Sequence, residues 1–530
     1  MNTIKESDSF SFQKAFLIVC FLIMSVLTFG QSVIPKPNQI NLNQGTFSFS
    51  NKLSISSNDA LFESLMPGFV ASAERFAEIE LTETQNAEIS LIRDSKIKDA
   101  EAYRLIITDK NITIEASGKQ GCYYGLQSLI QLITFCGEDK ELKCQTIEDQ
   151  PRYSWRGLML DESRHFFGVD EVKKLLDQMT LLKLNKFHWH LTDAQGWRIE
   201  IKRYPLLTEI GGKGNNSDPN APAKYYTQEE IKEVVAYASD RFIEIIPEID
   251  MPGHATAAVK AFPEFSGGGS EKYPDFTFNP GKPETYIFLT NILKELTTLF
   301  PSKYIHIGGD EVSFGNHQWP TLPDVKRLVQ KEGLKDMREV EHYFLHQMAD
   351  SILSMGKTLM GWDELVASDV NSETSLIMWW RHDKPEILEE ALNKGYKVVA
   401  CPRIPLYFDF VQHESHISGR KWAGRFAPVE SVYSFPSEEF MPAETISNKN
   451  IVGIQANLWT ETIHNPARLE FMVFPRIAAL AESSWTNEKN KNYNDFEQRL
   501  KKLFIVYNDE NLNYYNPYSS SPKETLGPKK

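Results

Sequence analysis

The stretch KYIHIGGDE, residues 303–311, decides the fold. Its first five residues are mostly apolar and predict a short strand of a parallel sheet that is buried on both faces. The two glycines that follow allow the backbone to turn sharply or a ligand to approach closely. Asp310 and Glu311 then lie at the carboxyl end of the strand, where parallel α/β folds carry their chemistry.

Two adjacent carboxylates at such a position are suited to acid and base chemistry. A neighbouring negative charge raises the pKa of one group, so a protonated acid can stand beside an ionised partner. The alternative interpretation of Asp310 and Glu311 is structural, because capping and the helix dipole favour acidic residues at helix N-termini. The rest of the chain favours the chemical interpretation.

Length, composition and charge narrow the class of protein. The chain has 530 residues, too many for one ordinary domain, and with 41% hydrophobic and 24% charged residues it has the composition of a soluble globular protein. The formal net charge of −14 argues against a nucleic-acid partner, because nucleic acids select basic surfaces. The ten tryptophans are more informative, since aromatic faces are common in sugar-binding clefts.

Residues 1–30 are interpreted as a secretory signal peptide. The apolar run AFLIVCFLIMSVLTF at 15–29 is short for a membrane span, and small or polar residues follow it. We therefore expect an exported protein, periplasmic or extracellular, with no further membrane association; a retained N-terminal anchor is the alternative. Export permits a disulfide between Cys136 and Cys144, and free thiols are an equal alternative.

The remaining chain divides into three predicted parts. Residues 33–150 read as a small α+β domain without an obvious catalytic cluster, and residues 486–530 as a C-terminal helix and tail. Between them, residues 151–485 alternate short apolar strands with helices, which fits a (β/α)8 barrel of the TIM type with long loops. Eight strands are predicted there: Gly157–Asp161, Lys186–Leu191, Ile243–Pro247, Tyr304–Ile307, Thr358–Gly361, Leu376–Trp380, Lys397–Ala400 and Gly453–Asn457.

Helices are predicted between these strands. The principal segments are Asp170–Leu184, Gln228–Asp240, Glu284–Phe300, Asp324–Met355 and Pro466–Ser483. The fifth connection, residues 364–373, is short for a full helix. The seventh, residues 402–450, is long and irregular, and long loops are often functional.

Every predicted barrel strand leads to charged or aromatic residues. In strand order they are Asp161, Arg164 and His165; His188, His190 and Asp193; Glu248, Asp250 and His254; Asp310 and Glu311; Trp362, Asp363 and Glu364; Trp379, Trp380 and Arg381; Tyr407 and Asp409; Trp459 and Glu461. Barrel active sites are built from the carboxyl ends of several strands. Aromatic faces take the apolar face of a pyranose while charged groups bind its hydroxyls, so the set indicates a sugar site.

A metal site is the rival interpretation of the same strand ends. His188, His190, Asp193 and Asp250 could in principle hold zinc. We expect no metal, because histidines beside carboxylates usually form hydrogen-bonded charge networks.

Several segments occur in the order found in a known family. They are Trp155–Gly157, Asp161–His165, His188–Asp193, Gly196–Arg198, Pro247–His254, His306–Glu311, Gly361–Glu364, the pair Trp459 and Glu461, and, in the N-terminal domain, Glu101–Tyr103 and Tyr124–Gln127. The chain therefore resembles the β-N-acetylhexosaminidases of glycoside hydrolase family 20, over about residues 33–485.

The resemblance implies a retaining reaction in which the substrate's own 2-acetamido oxygen replaces the usual protein nucleophile. It assigns Glu311 as the general acid and base. It assigns Asp310 as the acceptor of a hydrogen bond from the acetamido N–H, which orients the carbonyl oxygen towards the anomeric carbon.

The resemblance also implies a set of substrate-binding and supporting residues. The hydroxyl and carbonyl partners are Arg164, Tyr407, Asp409 and Glu461. The aromatic walls are Trp362, Trp380 and Trp459, with Trp379 as the alternative to Trp380, and Trp422 is placed near the leaving group. The groups that set the charge on Glu311 are Asp193, His254 and His306.

The sequence thus predicts an exo-acting β-N-acetylhexosaminidase that removes terminal β-linked N-acetylglucosamine or N-acetylgalactosamine from a glycan and needs no cofactor. One alternative is a related exo-enzyme that releases a disaccharide. Another is a catalytically silent sugar-binding protein, although the intact Asp310–Glu311 pair argues against silence. A conventional mechanism is the last rival, with Asp363, Glu364 or Glu461 as the protein nucleophile.

Overall fold

A computed structural model of the chain describes residues 32–416, 418–421 and 424–519. The predicted signal peptide lies outside these residues, and so does Trp422, whose place near the leaving group stays a prediction. The described chain separates into two compact units. The first runs to Gln150 and includes Thr486–Val506, and the second comprises Pro151–Trp485 and the residues from Tyr507 onwards.

The first unit is built on a seven-stranded mixed sheet of order β1-β7-β5-β6-β4-β2-β3. The strands are β1 Gln39–Ser48, β2 Lys52–Ser57, β3 Glu80–Glu83, β4 Ile89–Arg93, β5 Tyr103–Ile107, β6 Ile112–Ala116 and β7 Glu141–Asp149. Strands β5 and β6 pair antiparallel, and alternate residues of each are buried, so one face of the sheet packs on the core. Its helices are Ala60–Glu63, Met66–Ala77, Lys119–Thr134 and most of Tyr493–Asp509.

The second unit is a closed barrel of eight parallel strands, which confirms the predicted fold. The barrel strands are β8 Trp155–Asp161, β9 Lys186–His190, β12 Glu244–Glu248, β13 Tyr304–His306, β14 Thr358–Trp362, β15 Ser375–Trp379, β16 Lys397–Ala400 and β17 Ile451–Leu458. A two-stranded ribbon after β9 consists of β10 Thr192–Asp193 and β11 Gly196–Trp197. All eight predicted strands are present.

Helices connect the strands on the outside of the barrel. The α-helices are Val169–Leu181, Leu206–Glu209, Gln228–Ser239, Thr256–Ala261, Pro283–Leu299, Val312–Gly315, Pro323–Glu332, Met337–Ser354, Pro385–Asn393, Arg403–Leu406, Val429–Ser434, Pro466–Val473 and Arg476–Trp485. Short 3-10 turns are Pro263–Phe265, Trp319–Thr321, Asp363–Ser368, Ala443–Thr445 and, in the first unit, Glu488–Asn490. Of the described helices, none is long and apolar enough to span a membrane.

Two predicted helices are each broken in two. The stretch Asp324–Met355 divides at Gly333, which ends the first helix in the left-handed conformation that glycine adopts without strain. The stretch Pro466–Ser483 divides before Pro475, since proline supplies no backbone N–H to continue the helix. The helical periodicity continues across both breaks, so it does not reveal them.

The predicted C-terminal segment, residues 486–530, is not a separate unit. Thr486–Val506 belongs to the first unit, where the Arg499 guanidinium donates a hydrogen bond to the carbonyl of Val33 at 3.0 Å and Asp495 pairs with Lys36 at 3.1 Å. These contacts join the two ends of the first unit, which lie far apart in sequence.

All four cysteines of the described chain are free thiols, so the possible Cys136–Cys144 disulfide is not formed. Burial raises the pKa of the Cys122 and Cys401 thiols well above the ordinary value. Thiols with such pKa values stay protonated and are poor nucleophiles.

Arg476 anchors the long seventh connection by hydrogen bonds. Its buried guanidinium donates hydrogen bonds to the carbonyl oxygens of Phe408 at 2.6 Å, Phe410 at 2.8 Å and Ala427 at 3.1 Å. Burial lowers the pKa of Arg476 to about 9, which leaves it charged at neutral pH. One side chain therefore fixes a loop that has little regular structure of its own.

Replacing Arg476 with Met should lower the free energy of unfolding by about 3 kcal/mol or more, because several buried carbonyls lose their donor at about 1–3 kcal/mol each. Urea denaturation measures this loss. Arg327→Met is the control, since the Arg327 side chain is 70% exposed and its removal should change stability little. Equal stabilities for the two variants would contradict the role given to Arg476.

Candidate active site

The backbone is strained where Glu311 follows β13. Gly308 has a φ of +68°, and a Cβ at this position would collide with the carboxylate of Asp250. Glu311 itself has a φ of +56°, an uncommon conformation for a non-glycine residue that is often found at functional sites. Its side chain makes no capping hydrogen bond to the helix Val312–Gly315 that follows, so helix capping does not explain it.

A pocket at the carboxyl ends of the barrel strands collects most of the predicted site residues. It contains about 550 Å³ of empty space, part of it open to solvent. Its lining consists of Arg164, Asp193, His254, Asp310, Glu311, Trp362, Trp380, Arg403, Tyr407, Arg420, Trp459 and Glu461. All of these except Arg403 and Arg420 are residues that the sequence predicts for the site.

Four aromatic rings form one continuous wall. Ring centroids of Trp362 and Trp459 lie 5.8 Å apart, those of Trp459 and Tyr407 6.1 Å, and those of Tyr407 and Trp380 6.4 Å. Trp380 lines the pocket, whereas Trp379 is fully buried and does not. The structure therefore selects Trp380 between the two candidates.

Two carboxylates hold Trp380 from outside the pocket. The indole N–H of Trp380 donates to Glu364 Oε2 at 3.1 Å, and its backbone N–H donates to Asp363 Oδ2 at 3.1 Å. The guanidinium of Arg381 pairs with both carboxylates. Asp363 and Glu364 are thus engaged in orienting the aromatic wall.

Asp193 is the centre of the polar side of the pocket. Its Oδ2 lies 2.7 Å from Arg164 Nη2 and 3.0 Å from His190 Nε2, and its Oδ1 lies 2.9 Å from His254 Nδ1. Burial by itself would raise the pKa of Asp193, but Arg164 and His254 lower it well below its usual range. Burial opposes protonation of His254, yet Asp193 and the other nearby carboxylates raise its pKa well above the ordinary value.

His254 faces the two adjacent carboxylates. Its Nε2 lies 3.6 Å from Asp310 Oδ2 and 3.7 Å from Glu311 Oε2. Burial raises the pKa of Asp310 to about 6, with His254 opposing this shift and Glu311 reinforcing it. His254 holds the pKa of Glu311 below its ordinary value. Burial and Asp310 also raise the pKa of the neighbouring Asp250, so these carboxyl groups do not ionise together.

Two predicted residues lie elsewhere. His306 points into the barrel interior, where its Nδ1 lies 2.9 Å from Glu248 Oε1, so it contacts Glu248 and not Glu311. Asp409 is 1% exposed and does not line the pocket, whereas Arg420, which pairs with Asp409, does. Alternation along a strand and packing of a long loop decide these positions, and neither is visible in the motif alone.

Arg420 is the main site residue that sequence reasoning missed. Its Nε lies 2.6 Å from Asp409 Oδ2, and its guanidinium also lies 2.5 Å from Glu461 Oε1. Arg403, also missed, stacks over the Trp380 ring with 5.0 Å between the guanidinium carbon and the ring centroid. Arg420 lies deep in the long seventh connection, where no strand spacing indicates it, whereas Arg403 follows the end of β16 by three residues and is a strand-end residue that the sequence analysis omits. The sequence offers only a chemical signal for Arg420: the predicted acidic residues Asp409 and Glu461 need a nearby cation once they are brought together.

The residues of the rival metal site are already engaged in ion pairs. Ligand atoms of His190, Asp193 and Asp250 lie within 4.8 Å of one another, which is a separation that a metal ion could bridge. However, the oxygens of Asp193 already contact Arg164 and His254, and both of these carry a proton and a positive charge. The donor set therefore favours a charge network over a cation site.

The family follows from comparison with known sequences. Residues 153–488 match the model of the catalytic domain of glycosyl hydrolase family 20, and residues 30–150 match the model of domain 2 of the same family. The chain belongs to glycosyl hydrolase family 20.

Relatives and solved structures agree with this assignment. A beta-hexosaminidase of Porphyromonas gingivalis is 33% identical over 93% of this chain, and this chain spans 65% of that relative's length. A beta-hexosaminidase of Vibrio furnissii is 35% identical over 85% of this chain and 76% of its own length. The exo-β-N-acetylglucosaminidase of Vibrio harveyi, solved with N-acetylglucosamine, matches with a TM-score of 0.85 and 34% identity over 93% of this chain and 79% of that chain.

Removing Arg420 should make stability fall with rising pH above neutrality. Burial raises the pKa of Asp409 to about 7 although Arg420 lowers it, so Arg420→Met should raise this pKa further. A carboxyl group with a raised folded-state pKa stabilises the fold at low pH and loses that effect as pH rises through the folded-state pKa. The wild type should therefore level off above about pH 7, whereas the variant continues to lose up to about 1.4 kcal/mol per pH unit.

Denaturant unfolding between pH 6 and 9 measures this difference. Asp409→Asn in the Arg420→Met background is the control and should remove the additional slope, because it removes the group that titrates. Parallel stability curves for the wild type and Arg420→Met above pH 7 would refute the coupling between Arg420 and Asp409.

Proposed function

We propose that the chain is an exo-acting β-N-acetylhexosaminidase that hydrolyses terminal, non-reducing β-linked N-acetylglucosamine or N-acetylgalactosamine by a retaining, substrate-assisted mechanism. The observation that carries the proposal is the placement of Asp310 and Glu311 side by side in a pocket with an aromatic wall. The names of the relatives support the same activity. Because the chain spans only part of the length of some relatives, the activity is proposed for this chain on its own residues.

In the first step, Glu311 donates its proton to the glycosidic oxygen as the bond from that oxygen to the anomeric carbon breaks. The acetamido carbonyl oxygen of the substrate bonds to the anomeric carbon and forms an oxazolinium ion. Asp310 accepts a hydrogen bond from the acetamido N–H, which orients the amide and stabilises the positive charge that develops on it.

In the second step, a water molecule attacks the anomeric carbon from the face that the leaving group has vacated. Glu311, now a carboxylate, accepts the proton of this water and returns to its acid form. The oxazolinium ring opens, the acetamido group is restored, and two inversions give overall retention of configuration.

The proposal needs no protein nucleophile, and the contacts of the alternative carboxylates support that. Asp363 and Glu364 lie outside the pocket lining and are hydrogen-bonded to Trp380. Glu461 lines the pocket but is paired with Arg420 at 2.5 Å. A carboxylate held by a guanidinium is a weaker nucleophile than a free one, because its charge is already compensated.

The exo mode is supported by the polar side of the pocket. Arg164 and Glu461 line it together with Arg420, and these donors and acceptors suit the hydroxyls of a terminal sugar. An exported location, from the predicted signal peptide, is part of the proposal. Release of a disaccharide and sugar binding without catalysis are the alternatives, and product analysis separates them.

The direct test compares hydrolysis of an aryl β-N-acetylglucosaminide with that of the matching aryl β-glucoside. These substrates differ only at the 2-position, so substrate assistance requires rapid cleavage of the first and negligible cleavage of the second. Release of N-acetylglucosamine as a monosaccharide is the expected product. Comparable cleavage of both substrates would sink the substrate-assisted mechanism, and cleavage of neither would sink the proposed activity.

The pH dependence should show an acidic optimum. In the free enzyme the single proton of the pair lies mainly on Asp310, because burial raises the pKa of Asp310 while His254 lowers that of Glu311. A bound acetamido N–H favours the ionised form of Asp310, so the active form holds this proton on Glu311. Since the pKa of Asp310 is about 6, the free enzyme loses the last proton of the pair as pH rises above that value. We expect kcat/KM to fall about tenfold per pH unit above about pH 6.

Asp310→Asn provides the control for this profile. In that variant Glu311 is the remaining proton holder, and His254 keeps the pKa of Glu311 low. Its residual kcat/KM should therefore begin to fall at a lower pH than that of the wild type. A wild-type kcat/KM that stays constant up to pH 8 would show that the pair does not share a proton in this way.

A further inference from the structure

Glu248, the last residue of β12, lies in the barrel interior beneath the pocket and is 0% exposed. The strand register pairs it with His190 on β9 and with His306 on β13. Register partners on neighbouring parallel strands point to the same face of the sheet, which is here the barrel interior. The register therefore places one carboxylate between the histidines of two neighbouring strands.

Four nitrogen atoms surround this carboxylate. Its Oε2 lies 2.6 Å from His190 Nδ1 and 2.9 Å from His188 Nε2. Its Oε1 lies 2.9 Å from His306 Nδ1 and accepts a hydrogen bond from Trp362 Nε1 at 3.2 Å. A buried charge is costly unless it is paired and hydrogen-bonded, and here every side of the carboxylate is occupied by a ring nitrogen.

One of these contacts reaches the aromatic wall of the pocket. Trp362 is 1% exposed, yet it lines the pocket and packs against Trp459. Its indole N–H donates to Glu248 from the side away from the pocket. The hydrogen bond constrains the orientation of the ring, since it ties the indole N–H to a fixed acceptor.

A second contact of Glu248, through His190, leads to the charged residues of the pocket. His190 lies between two carboxylates, with Nδ1 2.6 Å from Glu248 and Nε2 3.0 Å from Asp193. Both ring nitrogens therefore donate, and the ring is an imidazolium. Asp193 in turn contacts Arg164 and His254, and His254 faces Glu311. A continuous chain of contacts thus runs from Glu248 to the proposed acid.

We propose that Glu248 is a positioning residue that ties the aromatic wall at Trp362 to the network around Asp193, and so sets the acyl-group selectivity of the pocket. The inference rests on the proposed function and on the family resemblance, which assigns Trp362 to the walls of the acetamido pocket and the sugar platform. Glu248 touches no substrate; it acts through the ring of Trp362 and through His190.

The test measures kcat/KM of Glu248→Gln on aryl glycosides that carry an N-acetyl or an N-butanoyl group. A wall displaced by about 1 Å should reduce kcat/KM for the N-acetyl substrate about 100-fold. It should also reduce the preference for N-acetyl over N-butanoyl about tenfold, because the space for the acyl group is no longer closely fitted. Glu162→Gln is the matched control, since Glu162 is equally buried but contacts Tyr226 and the backbone of Phe167.

An unchanged N-acyl preference in a Glu248→Gln variant that is uniformly slower would overturn the proposal, since that result describes a merely structural residue. One equivalent of zinc in the wild type that is absent from Glu248→Gln would also overturn it, because ligand atoms of His188, Glu248 and His306 lie within 4.8 Å of one another. If Glu248→Gln does not fold, Glu248→Asp keeps the charge but retracts it, and the same loss of preference is expected.

A crystal structure of the soluble variant separates this inference from the proposed function. If the wild type cleaves neither substrate, the proposed function fails, but the positioning role still requires Trp362 and His190 to leave their wild-type positions in the variant. Unmoved rings in that structure would overturn the inference independently of any activity.

Discussion

The buried carboxylate of Asp193 is the contact on which the polar half of the pocket depends. It compensates Arg164, His190 and His254 at distances between 2.7 and 3.0 Å. These cations in turn make it possible to keep several further carboxylates in a water-poor space, since an unpaired buried charge would cost several kcal/mol. His254 contacts both Asp193 and Glu311 and lowers the pKa of Glu311. The buried Asp193 therefore influences the protonation of the proposed acid through His254.

The sequence predicts the fold well because the signals are local. Buried parallel strands are continuous apolar runs, and strand ends carry the chemistry, so eight strands and most of the pocket lining can be read in order along the chain. The Gly308–Gly309 turn is also visible locally as two adjacent glycines, and both have a positive φ in the structure. The helix breaks at Gly333 and Pro475 also depend on single local residues. From the sequence we predict one helix across each of them, because the helical periodicity is given more weight than the helix-breaking residue.

The remaining features depend on pairings between distant segments. Arg420 meets Glu461 only because the seventh connection folds back over the pocket, and no spacing in the sequence predicts that contact. His306 contacts Glu248 because of the register between β12 and β13. A list of strand-end residues gives the members of a site but not their partners. The partners decide which carboxylates are free for catalysis and which are committed to arginines or tryptophans.

In the proposed mechanism the acetamido oxygen of the substrate acts as the nucleophile. We would measure kcat/KM for aryl glycosides whose N-acetyl group carries zero, one, two or three fluorines. Fluorine withdraws electrons from the carbonyl oxygen with little change in size, so acetamido participation predicts a steep, continuous decline in kcat/KM across the series. Equal values for all four substrates would rule out acetamido participation and require a nucleophile supplied by the protein.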